Sequence, residues 1–207
     1  MRLIFRWSKT SDKMANPRIY YLRHGQTDWN AELRFQGRKD IPLNATGQAQ
    51  ADRNGEKLAE ILPTNHSLPF ISSPMMRTRE TMQRVLVKLG REDEDVQIDE
   101  RLIEASYGDW EGKTLPQVKI EFPELHRRRK EIRWEFCPPN GESCAMMLDR
   151  ISGWYESLDS DAVVVAHGVV GRVLRYHLLG LDEQDAGGFI FPQDKVCVIQ
   201  KGSEEFV

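Results

Sequence analysis

Residues 161–180 read DAVVVAHGVVGRVLRYHLLG, from Asp161 to Gly180. The first part is an unbroken β-branched apolar run, the pattern of a strand buried on both faces. The second part, from Val169, reads as a helix, and Gly180 suits its end. A doubly covered strand followed at once by a helix is the repeating unit of a mainly parallel sheet packed between helices. His167 and Gly168 fall at the join.

Working outward, Ile19–Leu22 reads as a second buried strand, and the runs 68–73 (LPFISS) and 96–99 (VQID) as two more. GFIF (188–191) and KVCVIQ (195–200) are expected to finish the chain as strands. Between them, 48–62 is an amphipathic helix with Ala51, Gly55, Leu58, Ala59 and Leu62 on one side. In 73–90, Ser73 is the expected N-cap, Pro74 the first helical residue and Gly90 the stop. Residues 116–130 are expected to form one charged helix and 141–158 another. The expected fold class is therefore α/β, a three-layer α/β/α sandwich with a mainly parallel central sheet.

At 207 residues, with 40% hydrophobic and 29% charged, the chain has material for one core, assigned to residues 17–207 as a single domain. Residues 1–16 are expected to be a loosely ordered extension. Arg2, Arg6, Lys9 and Lys13 surround an apolar patch, Leu3 to Phe5, shorter than the roughly 7–15-residue core of a signal peptide. Met14 is an alternative start. The net charge of −3 gives no electrostatic reason to bind nucleic acid or an acidic membrane. No apolar run approaches the roughly 20 residues of a membrane span. Cys137, Cys144 and Cys197 are odd in number and form no Cys-x-x-Cys pair, which fits a reducing cytoplasm.

In a parallel sheet the ligand crevice lies beyond the carboxyl ends of the strands. Arg23 and His24 stand just past one strand, Arg77 in the first turn of the helix after another, and His167 and Gly168 after a third. Arginines, imidazoles and helix N-termini converging on one edge suit an anion with several oxygens, and phosphate fits best. Neighbouring cations favour the neutral, nucleophilic form of a histidine. A departing oxygen also needs a proton. Residues 99–112 (DERLIEASYGDWEG) supply Glu104, with Asp109 and Glu111 as competitors.

Six segments, in order, then carry a resemblance: RHGQTDWN (23–30), RFQGRKDIPLNATGQAQA (34–51), SSPMMRTRET (72–81), LIEASYGDWEG (102–112), NGES (140–143) and VVVAHGVVGR (163–172). Together, from Ile19 to Lys201, the chain resembles the histidine phosphatase superfamily, the phosphoglycerate-mutase-like proteins. The resemblance implies that His24 becomes phosphohistidine, and that Arg23, Arg77 and His167 hold the phosphoryl oxygens. Thr27, Asn30, Gln36, Gly37 and the Gly168 N–H assist in binding, and Glu104 is general acid and then base. It implies no metal and no cofactor. It implies a small phosphorylated metabolite or a phosphoprotein as substrate. Ala105–Trp110 resembles the short form of the phosphatase-like branch.

The expected function is a metal-independent phosphomonoester hydrolase acting through phosphohistidine. The alternatives are a 2,3-bisphosphoglycerate-dependent phosphoglycerate mutase and a non-catalytic phospholigand-binding protein. Arg79 is read as structural or solvent-facing, and His66, His126 and His177 as non-catalytic. Trp29 and Trp110 are read as packing the loops. The basic run Leu125–Arg133 is either a patch for a second anion or a solvated face balanced by Glu121, Glu124, Glu131 and Glu135; that balance favours the solvated face. Nothing in the sequence sets the oligomeric state.

Overall fold

The computed structural model describes residues 16–63 and 67–207. The expected extension, apart from Asn16, lies outside them, as do the alternative start Met14 and the non-catalytic assignment of His66.

Six strands form one sheet: β1 (Ile19–Arg23), β2 (Phe70–Ser72), β3 (Val96–Ile98), β4 (Ala162–Ala166), β5 (Val196–Gln200) and β6 (Ser203–Phe206). Their order is β3-β2-β4-β1-β5-β6. The pairs β3–β2, β2–β4 and β4–β1 are parallel, whereas β5 and β6 are antiparallel additions at one side. Every residue of β4 is buried. Alternate side chains enter opposite cores, as a strand period of two requires. Val164 packs with Tyr21, Ile151, Val170 and Leu174, while Val163 and Val165 pack with Leu22, Leu58, Met82 and Val85. The layers on the two faces are α6 (Cys144–Glu156) with α7 (Gly168–Leu179), and α2 (Ala45–Ile61) with α3 (Met76–Leu89). The remaining helices are α1 (Asp28–Ala31), α4 (Leu115–Glu121), α5 (Pro123–Glu131) and α8 (Glu183–Gly188). The α/β sandwich is as expected.

Register brings the three functional strand ends level. Arg23 pairs with Ala166, and Ser72 with Val165. The His24 N–H then bonds the Ala166 carbonyl at 3.0 Å, and the Ser73 N–H bonds Val165 at 3.1 Å.

The boundaries of several elements differ from expectation, each for a local reason. Ser73 does not cap α3, because its N–H extends the sheet ladder and its hydroxyl is taken by His167. Helix α3 therefore starts at Met76, after an extended Met75. Its stop at Gly90, in the left-handed conformation, is as expected. The charged helix 116–130 is two helices broken at Phe122, since the residue before Pro123 is disfavoured in helical geometry. Helices α2 and α6 are capped by the Asn44 and Ser143 side chains. GFIF is not a strand. Gly188 ends α8, and the carbonyls of Phe189 and Phe191 accept from Arg172 and Arg23 rather than from a neighbouring strand. Strand β6 was not expected from SEEF; it is an edge strand after a turn at Gly202, whose φ of +82° suits glycine.

Candidate active site

Beyond the ends of β1, β2 and β4 lies a cavity of about 150 Å³. Its wall includes Arg23, His24, Asn30, Gln36, Gly37, Arg77, Glu104 and Gly168. Eight of the ten residues proposed from the sequence thus share one wall, drawn from six separate stretches of chain. Thr27 and His167 are not among the wall residues, but the His167 ring centroid lies 5.3 Å from that of His24.

His24 is almost fully buried, and its Nδ1 lies 2.8 Å from the Gly25 carbonyl. A carbonyl only accepts, so Nδ1 carries the proton and Nε2 keeps its lone pair. Burial lowers the His24 pKa well below its ordinary value, and the charges of Arg77 and Arg23 lower it further. The loop holding it is pressed against α2: a Cβ on Gly25 would come within 2.2 Å of the Gly47 carbonyl oxygen, so only glycine fits.

His167 is wholly buried, its ring centroid 5.3 Å from that of His24. Its Nε2 meets the Ser73 hydroxyl at 2.7 Å, and Nδ1 has no hydrogen-bond partner among the described residues. Burial again lowers the pKa well below the usual value, followed by Arg77, His24 and Arg23. Both imidazoles are therefore neutral in the fold. In the unfolded chain, ordinary histidines with a pKa near ~6.5 bind protons that the folded chain excludes. Their contribution to stability is complete above pH ~6.5 and is lost as the pH falls below it, toward the depressed folded-state values. Two such groups add a slope of at most about 2.7 kcal/mol per pH unit. The expected result in urea unfolding between pH 5 and 8 is that His167→Gln, which still offers Ser73 a partner, removes about half of that added slope. An unchanged slope would mean that His167 takes up its proton in the fold just as it does in the unfolded chain.

Arg77 is 1% exposed. Nη1 donates to Lys39 O at 2.9 Å and Nη2 to Gly37 O at 2.8 Å. Guanidinium nitrogens only donate, so Gln36 turns its amide oxygen to Nε and Nη1, at 2.8 and 2.9 Å. Four of its five N–H groups thus shape the loop 36–39, and one Nη2 hydrogen is left for a ligand. Burial lowers the pKa of Arg77 to about 10, against the raising effect of Glu104 and Asp40. Arg23 is less committed. Nη1 donates to Phe191 O at 2.8 Å, and the buried Nε has no partner among the described residues. Gly168 lies against it; a Cβ there would stand 3.4 Å from Nε. Gly37 adopts φ +54°, and a Cβ on it would strike Glu111.

Glu104 is 8% exposed. Its oxygens accept from the N–H groups of Ala105 at 3.0 Å and of Val169, in the first turn of α7, at 3.3 Å. The competitors lie elsewhere. Glu111 accepts from the Arg38 and Tyr107 N–H groups, and the exposed Asp109 takes Asn140 Nδ2. Thr27 caps α1, with its hydroxyl shared between Asn30 N–H and Gln36.

Several residues of the site escaped the sequence reading, Tyr107, Ile190 and Phe191 of its wall among them. Arg34 and Arg172 line the cavity. Arg172 lies one helical turn beyond Gly168, on the side of α7 that the N-terminus already presents, a spacing that could have marked it. Gln193 reaches the His24 carbonyl and carried no signal. Arg79 is exposed, as expected. Trp110 is fully buried with Val118 and Phe136, and Gly112 packs on Trp29. The basic run carries one surface ion pair, Arg127–Glu124, and Arg129 lies over the Phe35 ring.

No group of His, Cys, Asp or Glu among the described residues could hold a metal ion, and none of the described helices is long and apolar enough to cross a membrane.

A protein of Escherichia coli O1:K1 named probable phosphoglycerate mutase GpmB is 32% identical over 168 residues, which cover 79% of this chain and 75% of that one. The solved structure of a mycobacterial glucosyl-3-phosphoglycerate phosphatase in complex with VO3 superposes with a TM-score of 0.74 at 28% identity, covering 92% of this chain and 98% of that one. A structure named mycobacterial hydrolase 1 gives 0.74 at 30% identity, covering 89% and 92%. The profile of the histidine phosphatase superfamily, branch 1, matches residues 19–207, and the chain belongs to that superfamily.

Proposed function

We propose that this protein is a phosphomonoester hydrolase that works through phosphohistidine on His24 and needs no metal. The observation that carries the reading is the fixed tautomer of His24. Its Nδ1 is bonded to the Gly25 carbonyl, which leaves Nε2 unprotonated, and the residue belongs to a wall that also holds Arg23, Arg77 and Glu104. In the first step Nε2 bonds to phosphorus while the bond to the leaving oxygen breaks, and Glu104 gives that oxygen its proton. In the second, the Glu104 carboxylate takes a proton from water as the water attacks phosphorus. The N–P bond breaks, and His24 returns to its neutral form. Arg23, the remaining Nη2 hydrogen of Arg77, Asn30, the Gly168 N–H and Nδ1 of His167 stabilise the phosphoryl oxygens. Thr27, Gln36 and Gly37 act by holding Asn30 and Arg77.

The substrate class is a small phosphorylated metabolite or a phosphoprotein. A cytoplasmic setting belongs to the same proposal, supported by three cysteines that are all free thiols. The test is free phosphate release across a panel of phosphorylated metabolites, run beside isomerisation of 3-phosphoglycerate primed with 2,3-bisphosphoglycerate. Phosphate release without isomerisation is expected. The names of relatives such as GpmB give the mutase reading its support, and isomerisation outpacing hydrolysis would select it. Phosphate binding without turnover would select the non-catalytic reading.

Arginines supply here the positive charge that a metal ion supplies to other phosphoryl-transfer sites. Hydrolysis is expected to keep its rate in excess EDTA. Loss with chelator and recovery with a divalent ion would overturn the mechanism.

A further inference from the structure

We propose that Gln193, on the segment joining α8 to β5, is a positioning residue that sets which end of the Asn30 amide faces the phosphoryl site. The inference rests on the phosphohistidine reading above. Gln193 Nε2 lies 3.0 Å from the His24 carbonyl oxygen and 3.0 Å from Asn30 Oδ1. The polarity of this relay follows from the backbone. The His24 carbonyl only accepts, so the end of Gln193 that meets it is the NH2. The second hydrogen of that NH2 needs an acceptor, so the Asn30 atom it meets is the amide oxygen. The Thr27 N–H, which only donates, approaches the same oxygen at 3.3 Å.

Two donors therefore hold Oδ1, and the Asn30 NH2 is left for the cavity that Asn30 lines. Inverted, the amide would show a carbonyl oxygen to a phosphoryl dianion. Gln193 is itself located from the far side. Asn54, a 2% exposed polar residue in α2, donates its Nδ2 to the Gln193 carbonyl at 3.0 Å. Burying an amide in that helix is thereby explained, since a buried polar group needs its partner. Gln193 is not part of the cavity wall, so it acts through Asn30 and through the His24 backbone.

The test is a double-mutant cycle with Gln193→Met, which keeps length and volume but removes the donor, and Asn30→Ala. Two readouts are taken: Kd for inorganic phosphate by calorimetry, and kcat/KM for p-nitrophenyl phosphate. Gln193→Met is expected to weaken phosphate binding and lower kcat/KM by about 10-fold, the scale of one hydrogen bond to a charged group. In the Asn30→Ala background its further effect should fall below about 2-fold, because residues in one hydrogen-bond network are non-additive. Equal losses in both backgrounds, or no loss in either, overturn the proposal. A second measurement needs no variant at Gln193: in wild-type protein the Asn30 side-chain amide resonances, identified by their absence in Asn30→Ala, should shift as phosphate is added. A saturating phosphate titration that leaves them unmoved also overturns it. Failure of the hydrolase reading would show separately, as wild-type protein that binds phosphate but releases none from esters.

Discussion

His24→Ala loses hydrolysis by about 10,000-fold or more, because removing the nucleophile removes the covalent route altogether. That loss equals about 5.5 kcal/mol of transition-state stabilisation. Wild-type protein quenched in acid during turnover of a ³²P-labelled ester should show no stable label, and base-quenched protein should carry label on His24, since phosphohistidine survives base and not acid. The variant should carry none. It keeps Arg23 and Arg77, so under the proposed mechanism it should still bind inorganic phosphate, and that separates a missing nucleophile from a collapsed site. The reading depends on Nε2 being free and unprotonated, which the Gly25 carbonyl enforces through Nδ1 and which burial and two arginines reinforce. Label on another residue, or steady hydrolysis through His24→Ala, would move the nucleophile elsewhere.

Glu104→Gln separates substrates by their leaving groups. An alkoxide is a strong base and needs a proton as it departs, whereas p-nitrophenolate leaves with little help. Loss of general-acid assistance typically costs about 100- to 10,000-fold, and that full loss is expected only for the alkyl ester. The comparison belongs on kcat/KM, because in the proposed mechanism Glu104 also serves the later attack by water, which can limit kcat. Arg77→Ala supplies the contrast. It removes a charge and a donor from the phosphoryl group that both esters share, and it releases the loop 36–39 that Arg77 ties, so both substrates should suffer alike. Equal losses in Glu104→Gln would take the acid role from it. Neither competitor would inherit the role easily: Glu111 is held by two backbone N–H groups and Asp109 is exposed beside Asn140.

The outline of this site was legible because strands and their exits leave strong local marks. The unbroken run Ala162–Ala166 required cover on both faces, and a sheet so covered gathers its strand exits along one edge. Arg23, His24, Arg77 and His167 could be placed at those exits without coordinates. Element boundaries were less legible where a side chain from elsewhere took over a local job. Ser73 has the composition of a helix cap, yet His167, 94 residues away, claims its hydroxyl. GFIF has the composition of a strand, yet arginines from β1 and α7 satisfy its carbonyls. Such competition is invisible to any window along the chain.

The motif resemblance supplied Asn30, Gln36, Gly37 and the choice of Glu104, whereas the α/β class and the strand exits that carry Arg23, His24, Arg77 and His167 were legible from composition and period. Composition and period work because apolar burial acts through repeating patterns a few residues long. Which hydrogen of Arg77 remains for a ligand, which carboxylate shares the cavity with His24 and which way the Asn30 amide points were decided only by the tertiary structure. Each depends on one polar atom meeting another far along the chain, as Gln193 meets the His24 carbonyl across 169 residues. A hydrogen bond of that kind is directional and made once, so it leaves no period in the sequence to read.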